Sequence, residues 1–93
     1  MAEINVETRQ RDENYVFKVT VREGVSQTHH QVTLSEADYE RLAGGAASPE
    51  ELVEASFRFL LEREPKESIL RSFDLTLINR YFPEYEREIG GRL

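Results

Sequence analysis

The first third of the chain alternates between apolar and polar positions with the period of a β-strand. Ile4, Val6 and Thr8 share one face and Glu3, Asn5 and Glu7 the other. Tyr15, Phe17, Val19 and Val21 then alternate with Val16, Lys18, Thr20 and Arg22, and His30, Val32 and Leu34 alternate with His29, Gln31 and Thr33. Segments 9–14 and 23–27 join the three runs, and Gly24 in the second connection can take a positive φ. This pattern predicts a three-stranded antiparallel meander with one apolar face and one mixed polar face, the arrangement in which helices cover a single side.

After Leu34 the period changes to that of helices. Ser35 is placed to cap a short helix over 36–43, with Glu36 and Asp38 near the positive end of its dipole and Gly44-Gly45 closing it. Ser48-Pro49-Glu50-Glu51 is a stronger start signal. Ser48 accepts from a first-turn amide, Pro49 suits the first helical position, and Glu51 completes a capping box. The helix that follows, over 49–64, carries Leu52, Val53, Ser56, Phe57, Phe59, Leu60 and Leu61 on an apolar arc of roughly 200°, so it needs cover on two sides. Its polar strip pairs Glu54 with Arg58 and Arg58 with Glu62 at four-residue spacing, worth a few tenths of a kcal/mol each.

Pro65 ends that helix. Residues 66–73 read as a two-turn helix, and Asp74 caps another through Leu75, Leu77, Ile78, Tyr81 and Phe82. Pro83 redirects the chain into a last helical stretch, 84–89, and Gly90-Gly91 marks the end of order, leaving 90–93 as a disordered tail. The expected fold is therefore α+β: a three-stranded antiparallel sheet over 1–34, then three to four helices over 35–89 packed on one face. The whole of 1–93 is read as one domain. Its predicted core joins Phe17, Val19, Val21, Val32 and Leu34 to Leu52, Phe57, Leu60, Ile69, Leu70, Phe73, Leu77 and Ile78.

Composition narrows the function classes. The 93 residues are 39% hydrophobic and 32% charged, and the net charge of −6 sits mainly in the helical part: residues 1–34 carry four basic and five acidic side chains, residues 35–93 eight and thirteen. A chain this acidic binds nucleic acid only by concentrating its few cations on one face. No apolar run approaches the roughly 20 residues that span a bilayer, and no signal-like segment opens the chain, so a cytoplasmic protein without membrane contact is expected. With no cysteine there is no disulfide, thiolate metal site or thiol nucleophile.

Candidate chemistry is sparse. His29 and His30 are adjacent on a strand, so their rings point to opposite faces and cannot ligate one ion, and no third His or any Cys completes a set. No nucleophile or oxyanion hole is marked beside them. Gly44-Gly45 follows a helix and lacks the lysine and hydroxyl of a phosphate loop. No cofactor, metal or catalytic site is expected.

Surfaces carry more. Two short helices about Ser72-Phe73-Asp74 mimic a helix-turn-helix over 66–82, offering Arg71, Asn79 and Arg80 to nucleic acid. Tyr81 and Tyr85, around Pro83, are candidate anchors for a protein partner. An outer strand of the sheet is a template for further pairing, with Glu3, Glu7 and Arg9 as partial blockers.

The segment from Phe57-Arg58-Phe59-Leu60-Leu61-Glu62-Arg63-Glu64-Pro65 through Leu70-Arg71-Ser72-Phe73-Asp74-Leu75 to Arg80-Tyr81-Phe82-Pro83-Glu84-Tyr85-Glu86 resembles the C-terminal half of small prokaryotic proteins with no assigned activity. A looser likeness is to antitoxin-type proteins, from which the chain departs by lacking a basic recognition element. The expected function is a non-catalytic protein-interaction or homo-oligomeric module. The alternative is a nucleic-acid-binding, antitoxin-like regulator.

Overall fold

A computed structural model describes residues 2–93. Strands β1 (Glu3–Arg11), β2 (Asn14–Glu23) and β3 (Ser26–Ser35) form the antiparallel meander. The alternation dictates the register: Ile4 faces Val21, Val6 faces Val19, Phe17 faces Val32 and Tyr15 faces Leu34, so these rungs of the inner face are apolar, with Thr8, His30 and Thr28 as its polar members. Asp12 closes the first hairpin by accepting from the Asn14 amide, and Gly24, at φ 60°, turns the second. The inner face is buried throughout β2, whereas Lys18, Thr20, Arg22, His29 and Gln31 occupy the outer face, half-buried or exposed.

Helix α1 (Glu36–Ala43) starts where Ser35 Oγ accepts from the Asp38 amide, and it ends at Gly44, whose φ of 55° favours glycine. Helix α2 (Pro49–Leu61) has both halves of the capping box in place. It lies against β1 with α1 and α4 (Tyr85–Arg92) beside it, which is the cover its wide apolar arc requires.

Three expectations are corrected. Residues 66–73 do not form a helix. After a single 3₁₀ turn, Lys66–Ser68, the chain extends, and Ser72–Asp74 becomes β4, a fourth strand parallel to β3, making the sheet mixed with order β1-β2-β3-β4. The outer edge of β3 would otherwise leave backbone groups unpaired, and the segment supplies partners: the Gln31 amide donates to Arg71 O at 2.7 Å and Thr33 Oγ1 to Asp74 Oδ1 at 2.8 Å. The second correction follows from the first. In extended chain Ile69 points inward, so Leu70 leaves the predicted core and stands 46% exposed. Leu77 is only half-buried, and the other predicted core residues are buried.

The third correction concerns the C-terminus. Helix α4 runs through Gly90-Gly91 to Arg92, where a disordered tail is expected. Its inward residues Tyr85 and Ile89 are fully buried, and Arg92 reaches back to Glu62 at 2.5 Å. Arg63 fastens the same junction, stacking 3.6 Å from the Phe59 ring centroid while donating to Glu84 and Glu88. These contacts outweigh the helix propensity lost at two glycines, about 1 kcal/mol each.

Candidate functional site

Between the end of α2 and the segment around β4 lies a half-open cavity of about 420 Å³. Leu60 and Glu64 form one wall, Ser68, Ile69 and Leu70 the rim of the extended loop, and Phe73 the floor. Leu77, Ile78, Tyr81 and Phe82 close the far side, from the 3₁₀ turn Leu75–Leu77 and the one-turn helix α3 (Ile78–Tyr81). Most of the lining is apolar.

Local rules put these residues here. Helix α2 ends at Leu61, and in the turn between it and Pro65 the Glu64 amide donates to Leu60 O, which leaves Glu64 lining the groove. Leu70 is turned outward because its own carbonyl accepts from His30 Nδ1 at 2.7 Å and the next carbonyl pairs with β3. Asp74 caps the 3₁₀ turn by accepting from the Thr76 amide, and with Ile78 directed inward Tyr81 stands 66% exposed. Leu70 and Tyr81 are two large apolar side chains held in solvent, and both rim this groove. Partial burial raises the Glu64 carboxyl above its ordinary value, and among the described residues no cation pairs with it.

The two candidate partner anchors part company. Tyr81 is on the rim. Tyr85 is not a surface residue: it is fully buried, edge-on to Phe59 with ring centroids 5.3 Å apart, and its hydroxyl lies 2.6 Å from Ser56 Oγ. Burial pushes its phenol up to about 12. Its position as the first inward residue of α4 explains the correction, since an apolar ring with one polar atom is accommodated wherever that atom finds a partner.

The residues proposed for nucleic acid are not gathered on a recognition helix. Arg71 sits in extended chain before β4, Arg80 is exposed on the single turn of α3, and Asn79 is half-buried with its Oδ1 enclosed and unpartnered. The helix-turn-helix geometry expected over 66–82 is absent because its first helix is reduced to the 3₁₀ turn Lys66–Ser68 and its expected turn, Ser72–Asp74, is a strand on β3.

His29 and His30 do point to opposite faces. His29 is exposed, near Thr20 and Gln27, while His30 is buried against Phe57 with both nitrogens engaged, Nδ1 by Leu70 O and Nε2 by Thr28 Oγ1 at 2.8 Å. An Nδ1–H donating to the carbonyl leaves Nε2 to accept, which is the neutral imidazole, and burial accordingly lowers its pKa from 6.5. His30 pins the rim of the groove to the sheet.

Sequence reasoning did not single out Glu64, Leu70 or the groove. One signal was available: Glu64, like Glu62, sets a carboxylate at the negative end of a helix dipole, where it costs stability unless it serves elsewhere. No protein family matches the chain, and neither does a curated protein or a solved structure. Among the described residues no helix is long and apolar enough to cross a membrane.

Proposed function

We propose that the protein is a non-catalytic interaction module that seats an apolar side chain of a partner protein in the groove behind Leu70 and Tyr81, with a neighbouring Lys or Arg of the partner meeting Glu64. The observation that carries this reading is the coincidence of two exposed apolar side chains with one apolar cavity. Such rims are where interface hot spots form, because a partner's side chain is desolvated on several sides at once. Charge chemistry selects the partner. Glu64 has no cationic partner among the described residues and is partly desolvated, and the chain carries a net −6, so a basic residue beside the apolar anchor gains both a local and a long-range attraction.

A peptide-display selection tests the reading, run on the wild-type protein with counter-selection on Leu70→Asp and Tyr81→Asp variants of unchanged circular dichroism. The expected yield is a motif of one large apolar residue with Lys or Arg within a few positions, and chemical-shift changes confined to the groove. A motif without a cation, or one retained by both variants, would refute it.

A further inference from the structure

The far edge of the sheet is also unpartnered. Strand β1 pairs with β2 on one side only, and among the described residues no backbone group takes its other side. It contains no proline, and along it Ile4 and Val6 are half-buried, although Val21 and Val19, which face them across the ladder, are completely buried. The apolar inner layer thus runs out to an open edge instead of being closed there.

We propose that a second copy of this chain covers that edge, the two β1 strands pairing antiparallel about a two-fold axis at Val6. The register follows from the charges. For both helical layers to lie on the same side, outward residues must face outward residues, so the pairing can slip only in steps that keep Glu3, Asn5, Glu7 and Arg9 opposite one another. With Val6 facing itself, Glu3 of each copy faces Arg9 of the other, and Asn5 faces Glu7. The slip on one side sets Glu3 against Glu7, and the slip on the other sets Glu7 against itself, both of them like-charge pairs. A larger slip in one direction shortens the ladder to Glu3–Asn5, and in the other it carries the ladder past the irregularity at Arg9, where the proposed ladder ends.

Arg9 is available for this role. It has no partner on β2, and its guanidinium stands 3.6 Å from Glu7 on the outer face with about half of its side chain exposed. Charged side chains on an edge oppose pairing where they meet like charges on the second copy, and are neutral or favourable where they meet opposite ones. Here Glu3 and Arg9, at the two ends of the outer face of β1, are of opposite sign, so a second copy is matched in that register. The pairing uses neither Leu70 nor Glu64 and is independent of the groove.

Sedimentation equilibrium over a concentration series, with Glu3→Arg, Arg9→Glu and the double exchange, tests the proposal. The wild type is expected to be a monomer–dimer equilibrium. Each single exchange creates two like-charge pairs across the axis and weakens association about tenfold or more, and the double exchange restores it to within about threefold. Leu70→Asp leaves the dissociation constant unchanged. A wild type that stays monomeric throughout the series, a dimer indifferent to the exchanges, or a dimer lost in Leu70→Asp would overturn it.

Discussion

The buried pair Ser56 and Tyr85 joins α2 to α4 and allows a direct test of how that junction holds. Ser56 Oγ lies 2.8 Å from Leu52 O and 2.6 Å from the Tyr85 hydroxyl, and both residues have no exposed surface. A carbonyl can only accept, so Ser56 donates to Leu52 and Tyr85 donates to Ser56. Ser56→Ala leaves the phenol buried with no acceptor and should cost about 1–3 kcal/mol, while Tyr85→Phe removes one bond and should cost about 0.5–1.5 kcal/mol. The double variant replaces both partners with apolar groups, so its cost falls below the sum, with a coupling of about 1 kcal/mol or more. Urea unfolding followed by circular dichroism at pH 7, with unchanged m-values, reads the cycle.

The same pair has an alkaline signature. The unfolded phenol ionises near 10.0, and the folded one, pushed up to about 12, keeps its proton. Between those values the native state binds more protons than the unfolded state, so stability is complete below about pH 10 and falls as pH rises, by about 1.4 kcal/mol per unit. Tyr85→Phe should abolish that part of the slope. Single-variant costs that add to within about 0.3 kcal/mol, or an alkaline slope unchanged in Tyr85→Phe, would refute the buried pair.

Two further outcomes follow from the corrected fold. Gly90 and Gly91 have ordinary helical backbone and open space where a Cβ would go, so Gly90→Ala and Gly91→Ala should each stabilise the protein by about 0.5–1 kcal/mol in urea unfolding; no gain at either position would refute the continuation of α4. His30 is held neutral by burial with its pKa below 6.5, so below about that pH the unfolded state takes up a proton that the native state resists. Stability is therefore complete above about pH 6.5 and lost as pH falls toward the folded pKa, and His30→Gln should flatten the urea midpoint between about pH 7 and 5.5; an equal slope in both proteins would refute it.

What could be read along the chain was whatever depends on near neighbours. The alternation of β2, the cap at Ser35 and the capping box at Ser48 act over two to four residues, and each appears where its pattern puts it, whereas α2 ends at Leu61, short of the expected end at 64 before Pro65. The same locality explains the failures. Ile69, Leu70 and Phe73 have a spacing that suits a helical stripe as well as an extended segment, and nothing within the segment distinguishes the two. The unpaired edge of β3, some forty residues away in sequence, settles it by supplying hydrogen-bond partners, and with that choice Leu70 is turned out and the groove is created. Tyr85 is similar: its ring and hydroxyl fit a surface anchor equally well until Ser56, on a different helix, provides the buried acceptor. Two glycines weaken a helix locally, yet Ile89 and Arg92 hold α4 together through contacts with α2 and the core. Sequence by itself determined the antiparallel strands, the first two helices and most of the core, because periodicity and capping are short-range. Only the tertiary structure decided the fourth strand, the burial of Tyr85 and the existence of the groove, because each depends on which distant backbone group or side chain is left to be satisfied.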